Sequence, residues 1–259
     1  MERGRQGDRL DAITSRRDVL AVLADEDLTQ AEVATELGVS RSTVTRAVGH
    51  LTDLGLLERS GSTYRTTTLG RLALDAYDRY RTRVEALFDA SRFLQYIPRD
   101  AHFDPGILLD AQIDVAGPNR SVELGERVNE TMKGAESIRG LGKTYAERES
   151  HSIFLRTLEE SGTLSHVLSR DLYRYIRNRE ADLDLLEHEE YEYAVVDTLP
   201  YGLFVVDTGE GETMVLIAYD DAGTMKGVLR NSTDHAVSWA EQVIDAYEER
   251  GTEPPLERD

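Results

Sequence analysis

Ser40, Arg41, Ser42, Thr43, Thr45 and Arg46 place four hydroxyls and two guanidinium groups within two helical turns, and His50 follows a turn later. Hydroxyls and guanidinium forks bond phosphates and base edges, so the chemistry on offer is recognition of a nucleic-acid groove. A second set, Arg59, Ser62, Tyr64 and Arg65, flanks Gly61 and suits the sugar–phosphate backbone or the minor groove. Residues 40–65 hold four Arg and two acidic residues, a local +2 in a chain whose formal net charge is −19. The same residues would also serve as the charged outer face of a three-helix packing module that touches no DNA. The local positive balance favours the groove.

Other stretches offer different chemistry. Gly142-Lys143-Thr144, ahead of a helical pattern, matches the end of a phosphate-binding loop, but that loop needs a glycine where this chain has Ser137. What survives is a turn at which Arg139, Gly140 and Lys143 could meet an anionic ligand. Ser169 and Arg170 sit where a strand meets a helix. Tyr193, Tyr201 and Tyr219 are polar-tipped aromatics on late strands, of the kind that line small-molecule pockets. These eight residues are the candidate effector contacts. The six His are scattered without metal-ligand spacing, and His188-Glu189-Glu190-Tyr191-Glu192 lacks the second His of a zinc-protease helix. There is no Gly-x-Ser-x-Gly elbow, and no His has Lys two residues on. No catalytic residue, metal or cofactor is expected.

Regular elements must position these groups. Ile13, Val19, Leu20, Val22 and Leu23 predict one helix ending near Asp25. Thr29 caps a second, with Glu32 completing a capping box, and Val33, Ala34 and Leu37 form its buried side. Gly38 stops it. Ser40 caps a third helix that buries Val44, Val48 and Leu51, turns Arg41, Ser42, Thr43, Thr45 and Arg46 outward, and ends at Gly55. Two short alternating runs across Gly61 then predict a hairpin. Three helices and a hairpin, in that order, make a winged helix-turn-helix over residues 11–67, after a polar lead-in over 1–10.

From Thr68 a long helix is predicted to about Leu94, with Leu69, Leu72, Ala73, Ala76, Tyr80, Val84, Leu87 and Phe88 at steps of three and four. It reads as a linker and dimerisation element over 68–97, or as a helix packed on a neighbouring domain. A second domain follows over 98–250. Strands are predicted at Ile107–Val115, Glu136–Leu141, Leu164–Leu168, Tyr193–Thr198, Gly202–Asp207, Met214–Tyr219 and Lys226–Leu229. Helices are predicted at Ser121–Lys133, Tyr145–Glu160, Arg170–Arg179 and His235–Arg250. That order gives an α+β chain whose C-terminal part is an α/β sandwich with a mixed sheet. Residues 251–259 are expected to be a disordered tail.

Composition sets the setting. Residues 1–97 carry 14 Arg against 15 acidic residues, whereas the rest holds 16 basic against 34 acidic. Lysine occurs three times against 27 Arg, and cysteine is absent. Abundant carboxylates with little Lys fit a protein working in very high salt, where screening suppresses self-repulsion. No apolar run reaches the ~18 residues of a membrane span, and the first residues lack a signal-peptide core. The expectation is a cytoplasmic protein.

Two stretches carry family resemblances. Ala31 to Gly70, with "Ala-x-x-Leu-Gly-Val-Ser-x-Ser-Thr-Val-x-Arg", "Leu-x-x-Leu-Gly-Leu-Leu" and "Thr-Thr-Leu-Gly", resembles the winged-helix domain of archaeal transcription regulators. Residues 195–250, with Leu199-Pro200-Tyr201-Gly202, Tyr219-Asp220-Asp221-Ala222-Gly223 and Trp239 to Tyr247, resemble the effector domain of archaeal methanogenesis (Fil-type) regulators. The resemblance implies a regulator that binds double-stranded DNA through Thr29, the third helix and the wing. It also implies a homodimer and a small-molecule signal at the C-terminal domain. The competing classes are a protein-interaction adaptor that docks through the winged helix, and a small-ester or lactone hydrolase, which the missing nucleophile–His pattern disfavours.

Overall fold

The computed structural model describes residues 2–117, 121–144, 148–160, 162–179 and 183–252. The chain divides into two compact units, Met1–Glu85 and Ala86–Asp259.

In the first unit, α1 (Glu2–Ser15) and α2 (Arg17–Asp25) replace the one helix expected, with a break at Arg16. The helical run thus begins inside the polar lead-in. α3 (Gln30–Glu36), α4 (Arg41–Asp53) and the hairpin β1 (Leu57–Ser60) with β2 (Thr63–Thr66) follow as the spacing predicted. The capping box is present: Thr29 N donates to Glu32 Oε2 at 2.8 Å and Glu32 N donates to Thr29 Oγ1 at 3.3 Å. Such a cap contributes about 1 kcal/mol. Ser40 Oγ accepts from Thr43 N at 3.2 Å and starts α4. Gly38, between the two helices, has φ 65°, a conformation that costs an L side chain strain. The core is Val19, Leu20 and Leu23 of α2, Val33 and Ala34 of α3, and Val44, Ala47, Val48 and Leu51 of α4, closed by Leu56 and Leu57 at the hairpin. α5 (Thr68–Asp89) is tied to α2 by a two-pronged Arg17–Asp78 pair at 2.7 and 2.8 Å.

In the second unit the predicted helix does not continue to Leu94. It stops at Asp89, and a short α6 (Ser91–Leu94) follows a turn at Ala90. The strand expected at Ile107–Val115 is also corrected. Its first half is a 3-10 turn, Pro105–Leu108, whose Gly106 N is held by the Asp104 carboxylate at 2.7 Å. Asp110, at φ 61°, then turns the chain, and only β3 (Gln112–Val115) is strand.

The remaining elements are α7 (Ser121–Met132), β4 (Ser137–Gly142), α8 (Arg148–Glu159), β5 (Thr163–Ser169), α9 (Arg170–Arg177), α10 (Leu183–Leu186), β6 (Tyr191–Val196), β7 (Gly202–Asp207), β8 (Glu212–Tyr219), β9 (Met225–Asn231) and α11 (Asp234–Glu248). All but α10 were anticipated. The sheet runs β3-β9-β8-β7-β4-β5-β6. β4, β5 and β6 are parallel neighbours, and β4 turns antiparallel to β7, so the sheet is mixed.

Alternation along the strands feeds two cores, one per face. Leu141, Val167, Leu203, Val205, Leu216 and Leu229 pack with Phe93, Trp239 and Ile244 on the α11 side. Ile138, Leu164, Leu168, Phe204, Val206, Val215 and Ile217 pack with Leu124, Val128, Phe154 and Leu172 on the α7, α8 and α9 side. That is an α/β sandwich. Thr252 pairs with Val195, and the rest of the tail, 253–259, lies outside the described residues, as do 145–147 at the predicted start of α8. No described helix is long and apolar enough to cross a membrane.

Candidate nucleic-acid interface and effector cavity

α4 buries Val44, Ala47, Val48 and Leu51 and leaves Arg41, Ser42, Thr43, Thr45, Arg46 and Gly49 exposed. The outer face is pinned at both ends. Ser40 Oγ lies 2.9 Å from Ser42 Oγ and 2.8 Å from Thr43 Oγ1. Arg46 Nε donates to Ser42 O at 3.3 Å. Among the described residues neither Arg41 nor Arg46 has an ion-pair partner, whereas Arg17, Arg65, Arg79 and Arg81 of the same unit each hold a carboxylate. In a chain so rich in acids, two unpaired guanidinium groups on one helix edge leave a local positive field.

The wing is oriented against this helix through a residue that the spacing did not flag. Thr45 Oγ1 donates to Gln30 Oε1 at 2.9 Å, and Gln30 Nε2 donates to Tyr64 Oη at 3.3 Å. Tyr64 and Leu28 also exchange backbone bonds at 2.8 and 3.2 Å, joining the hairpin to the entry of α3. Gln30 therefore links α3, α4 and the wing; its position one residue after the Thr29 cap was the available signal. Arg59 is exposed, its Nε donating to Gly61 O at 2.8 Å, and Ser62 is exposed at the turn. Arg65 is engaged by Glu58 at 2.7 Å. Thr29 spends its hydroxyl on the capping box, and His50 is half-buried on the last turn of α4 with its Nδ1 buried and without a partner among the described residues.

The second unit holds a cavity of about 240 Å³ on the α7, α8 and α9 face of the sheet. Its floor is Gly142, Leu168, Phe204 and Ile217; its walls include Val128, Met132, Phe154 and Leu172; Tyr219, Thr144 and the Gly223–Met225 turn stand at one side. A Cβ at Gly142 would lie 3.0 Å from both Leu168 and Leu172, so the missing side chain opens the floor. Polar groups on the wall are mostly satisfied within the protein. Ser150 Oγ donates to Asn129 Oδ1 at 2.6 Å, and His151 Nε2 lies 3.0 Å from Asp184 Oδ1. Burial pushes the Tyr219 phenol up to about 12, against a bond from Thr144.

His166 is the exception. Its ring is 4 % exposed, and Nδ1 sits 2.9 Å from Tyr191 Oη. Nε2 is buried with no partner among the described residues. Burial drives the imidazole pKa down to about 3 and pushes the Tyr191 phenol up, so both groups stay neutral. Sequence reasoning passed over His166 because it tested histidines for metal spacing and for a catalytic His-x-Lys pair, not for burial. Its place in Leu164-Ser165-His166-Val167-Leu168, in phase with Leu164 and Leu168, already put a polar ring on an apolar face.

The eight effector candidates do not converge. Tyr219 lines the cavity. Lys143 lies beside it, with Nζ 5.8 Å from the Tyr219 ring centroid and donating to Pro200 O at 2.8 Å; burial lowers its pKa. Gly140 is buried under Phe204, where a Cβ would meet Leu203 O and the Phe204 ring at 2.4 Å. Tyr193 stacks on Tyr191 at 5.2 Å beyond the cavity wall. Ser169 caps α9 and donates to Lys143 O at 2.8 Å. Arg139 points to the other face, paired with Asp245 at 2.6 Å and with Glu248. Tyr201 is also on that face, its hydroxyl donating to His102 O at 2.6 Å. Arg170 is exposed and paired with Asp197 at 2.5 Å. Among the described residues no group of three or more metal-binding side chains occurs.

Two family models match. The HVO_A0261 N-terminal domain matches residues 6–87, and the middle domain of the methanogenesis regulatory protein FilR1 matches residues 122–250. The chain joins an HVO_A0261 N-terminal domain to a FilR1 middle domain. The resemblance to archaeal winged-helix regulators with a Fil-type C-terminal domain therefore holds over both halves. No curated protein sequence matches the chain. Similar solved structures include TrmBL2, described as an archaeal chromatin protein with a novel mode of DNA binding, at 13% identity and TM-score 0.45 over 91% of this chain and 92% of that one. NucT from Helicobacter pylori is similar at 9% identity and TM-score 0.45, over 55% of this chain and 97% of that one. Nuc from Salmonella typhimurium, a phospholipase D family member, is similar at 12% identity and TM-score 0.39, with the same coverages of 55% and 97%. Likenesses this distant carry no weight for function.

Proposed function

We propose that the chain is a cytoplasmic, sequence-specific DNA-binding transcription regulator adapted to high salt, a homodimer whose grip on DNA responds to a small molecule in the C-terminal unit. The observation that carries this reading is the outer edge of α4. It presents Arg41, Ser42, Thr43, Thr45 and Arg46 together, exposed, with both arginines free of internal carboxylates among the described residues. A helix preceded by α3 and followed by a β-hairpin is the element that enters the major groove in helix-turn-helix proteins. The C-terminal match is to a domain of a methanogenesis regulatory protein, which supports regulation over an adaptor or a catalyst.

α5 supports the dimer. Leu69 is 57%, Leu72 63% and Tyr80 62% exposed, and with Ala76 they form an apolar stripe at steps of three and four. Such a stripe on a water-facing helix fits a seam with a second copy. Two copies joined there would set the separation of two recognition helices, which must match half-sites one DNA turn apart. The signal would act only by binding one dimer arrangement more tightly than another.

The test is a mobility shift, in high salt, with the DNA upstream of the chain's own coding sequence, followed by a footprint. The reading predicts a saturable shift that survives excess unrelated DNA, with two protected half-sites about ten base pairs apart. A shift abolished equally by any competitor DNA would refute sequence-specific regulation.

A further inference from the structure

A side chain outside α4 is bonded to the face that α4 turns to solvent. Gln30, the first residue of α3, reaches between α4 and the wing. Thr45 Oγ1 donates to its Oε1 at 2.9 Å, and its Nε2 donates to Tyr64 Oη at 3.3 Å. We infer that Gln30 is a specificity-determining residue: by taking the proton of Thr45 it leaves that side chain an acceptor and a methyl group, so that α4 refuses guanine at the base Thr45 faces. This rests on the reading that α4 enters the major groove, and it adds which base is excluded there and by what.

Gln30 is held from both sides. Its backbone follows directly on the Thr29 cap, within the Thr29–Glu32 capping box. Tyr64 packs against the core of the first unit and exchanges backbone bonds with Leu28 at 2.8 and 3.2 Å, which fixes the hydroxyl that receives Nε2. With Nε2 turned to Tyr64, Oε1 faces Thr45. Thr45 itself is exposed on the outer face of α4, beside Arg46. The neighbouring hydroxyls bond differently. Ser42 and Thr43 both turn to Ser40 Oγ, at 2.9 and 2.8 Å, in contacts where either atom can donate. On this face it is the Thr45 proton that is committed outside α4.

A threonine hydroxyl has one proton and two lone pairs. With the proton on Gln30, Oγ1 can only accept. In the major groove adenine and cytosine each present an amino donor, thymine presents a methyl group beside O4, and guanine presents N7 and O6, both acceptors. The first two suit the free lone pairs of Oγ1, and the third suits the γ-methyl. Guanine sets acceptor against acceptor. The relief is to break the Thr45–Gln30 bond and turn the proton round. The exclusion is therefore worth one net hydrogen bond, about fivefold in affinity per half-site.

The experiment is a binding selection with the full chain in high salt. The DNA upstream of its coding sequence, randomised across one protected half-site, is bound, recovered and sequenced, and base preferences are compared between variants. Wild type should show a position at which guanine is depleted about fivefold. Gln30→Leu, which keeps bulk but cannot accept, should return guanine there to parity; Gln30→Met takes its place if it fails to fold in urea titration. Gln30→Glu has an oxygen at each end and still takes the Thr45 proton. It should keep the depletion while its charge weakens binding to every sequence. In a Thr45→Val background, where no proton remains to commit, Gln30→Leu should change nothing at that position. A strut that merely held the wing would act alike in both backgrounds. Unchanged base preferences in Gln30→Leu, the same change with and without Thr45→Val, or loss of the depletion in Gln30→Glu would overturn the inference and leave sequence-specific recognition intact. A wild type that enriches no sequence would overturn both.

Discussion

Two glycines in the first unit, both inside helices, should respond to alanine in opposite directions. Gly49 lies on the exposed face of α4, and a Cβ there would meet nothing within 4 Å. Gly70 lies in the first turn of α5, where a Cβ would stand 2.1 Å from Leu56 O and 2.6 Å from Thr66 Cγ2. In an open helix position Gly→Ala gains about 1 kcal/mol. Gly49→Ala should show that gain. At Gly70 the same gain is opposed by an overlap of more than 1 Å, since ordinary contact begins near ~3.4 Å. Leu56 O cannot step aside cheaply, because Thr67 N and Thr67 Oγ1 both donate to it, at 3.0 and 3.2 Å. Overpacking typically costs ~1–3 kcal/mol, and a clash with anchored backbone belongs at the top of that range. The net expectation for Gly70→Ala is a loss of about 2 kcal/mol. Denaturant titration of the full chain separates the units, because the one tryptophan, Trp239, lies in the second. A far-UV CD transition without a Trp239 fluorescence change reports the first unit. If Gly70→Ala leaves that transition in place or raises it, the close docking of α5 on the hairpin is wrong.

Further outcomes follow from the same structure. Thr29→Ala should cost the first unit about 1 kcal/mol by removing the capping box, and adding Glu32→Ala should cost less than the sum of the two, since they form one device. His166 is held neutral, with a folded pKa of about 3 against about 6.5 when unfolded. Between those values the unfolded chain takes a proton that the folded chain refuses. Its contribution is therefore complete above pH ~6.5 and is lost as pH falls toward 3, at ~1.4 kcal/mol per pH unit. Wild type should accordingly lose about 2 kcal/mol more than His166→Phe between pH 7 and pH 5, read by Trp239 fluorescence in urea. Leu72→Glu with Tyr80→Glu should convert a dimer into the 29.1 kDa chain in sedimentation; an unchanged mass would place the seam elsewhere.

The first unit was legible because its signals are local. Thr29 with Glu32, Ser40, Gly38 and Gly55 each act on neighbours within four residues, and the period of Val44, Val48 and Leu51 fixes the buried side of α4. The errors arose where distant packing decided. Nothing near Ala90 breaks a helix, yet the chain turns there to lay Phe93 against Gly227, where a Cβ would come within 2.6 Å of the ring. Ile107 looked like the start of a strand because its neighbours are apolar, but Asp104 and Asp110 impose turns on either side. The effector candidates scattered for the same reason. Strand alternation tells which residues share a face, but not that β4 sits between β5 and β7, nor which face receives α11. Tyr201 and Tyr219 therefore looked like neighbours and belong to opposite cores.

The central claim is that α4 grips DNA through Arg41 and Arg46. Its most direct test is fluorescence anisotropy of labelled upstream DNA across a salt series, with wild type and the Arg41→Ala, Arg46→Ala double variant. Each phosphate neutralised contributes ~0.9 to the slope of log affinity against log salt. Two arginines on each of two subunits should therefore lower that slope by up to ~3.6 and weaken binding at every salt concentration. Unchanged affinity with an unchanged slope would contradict the claim.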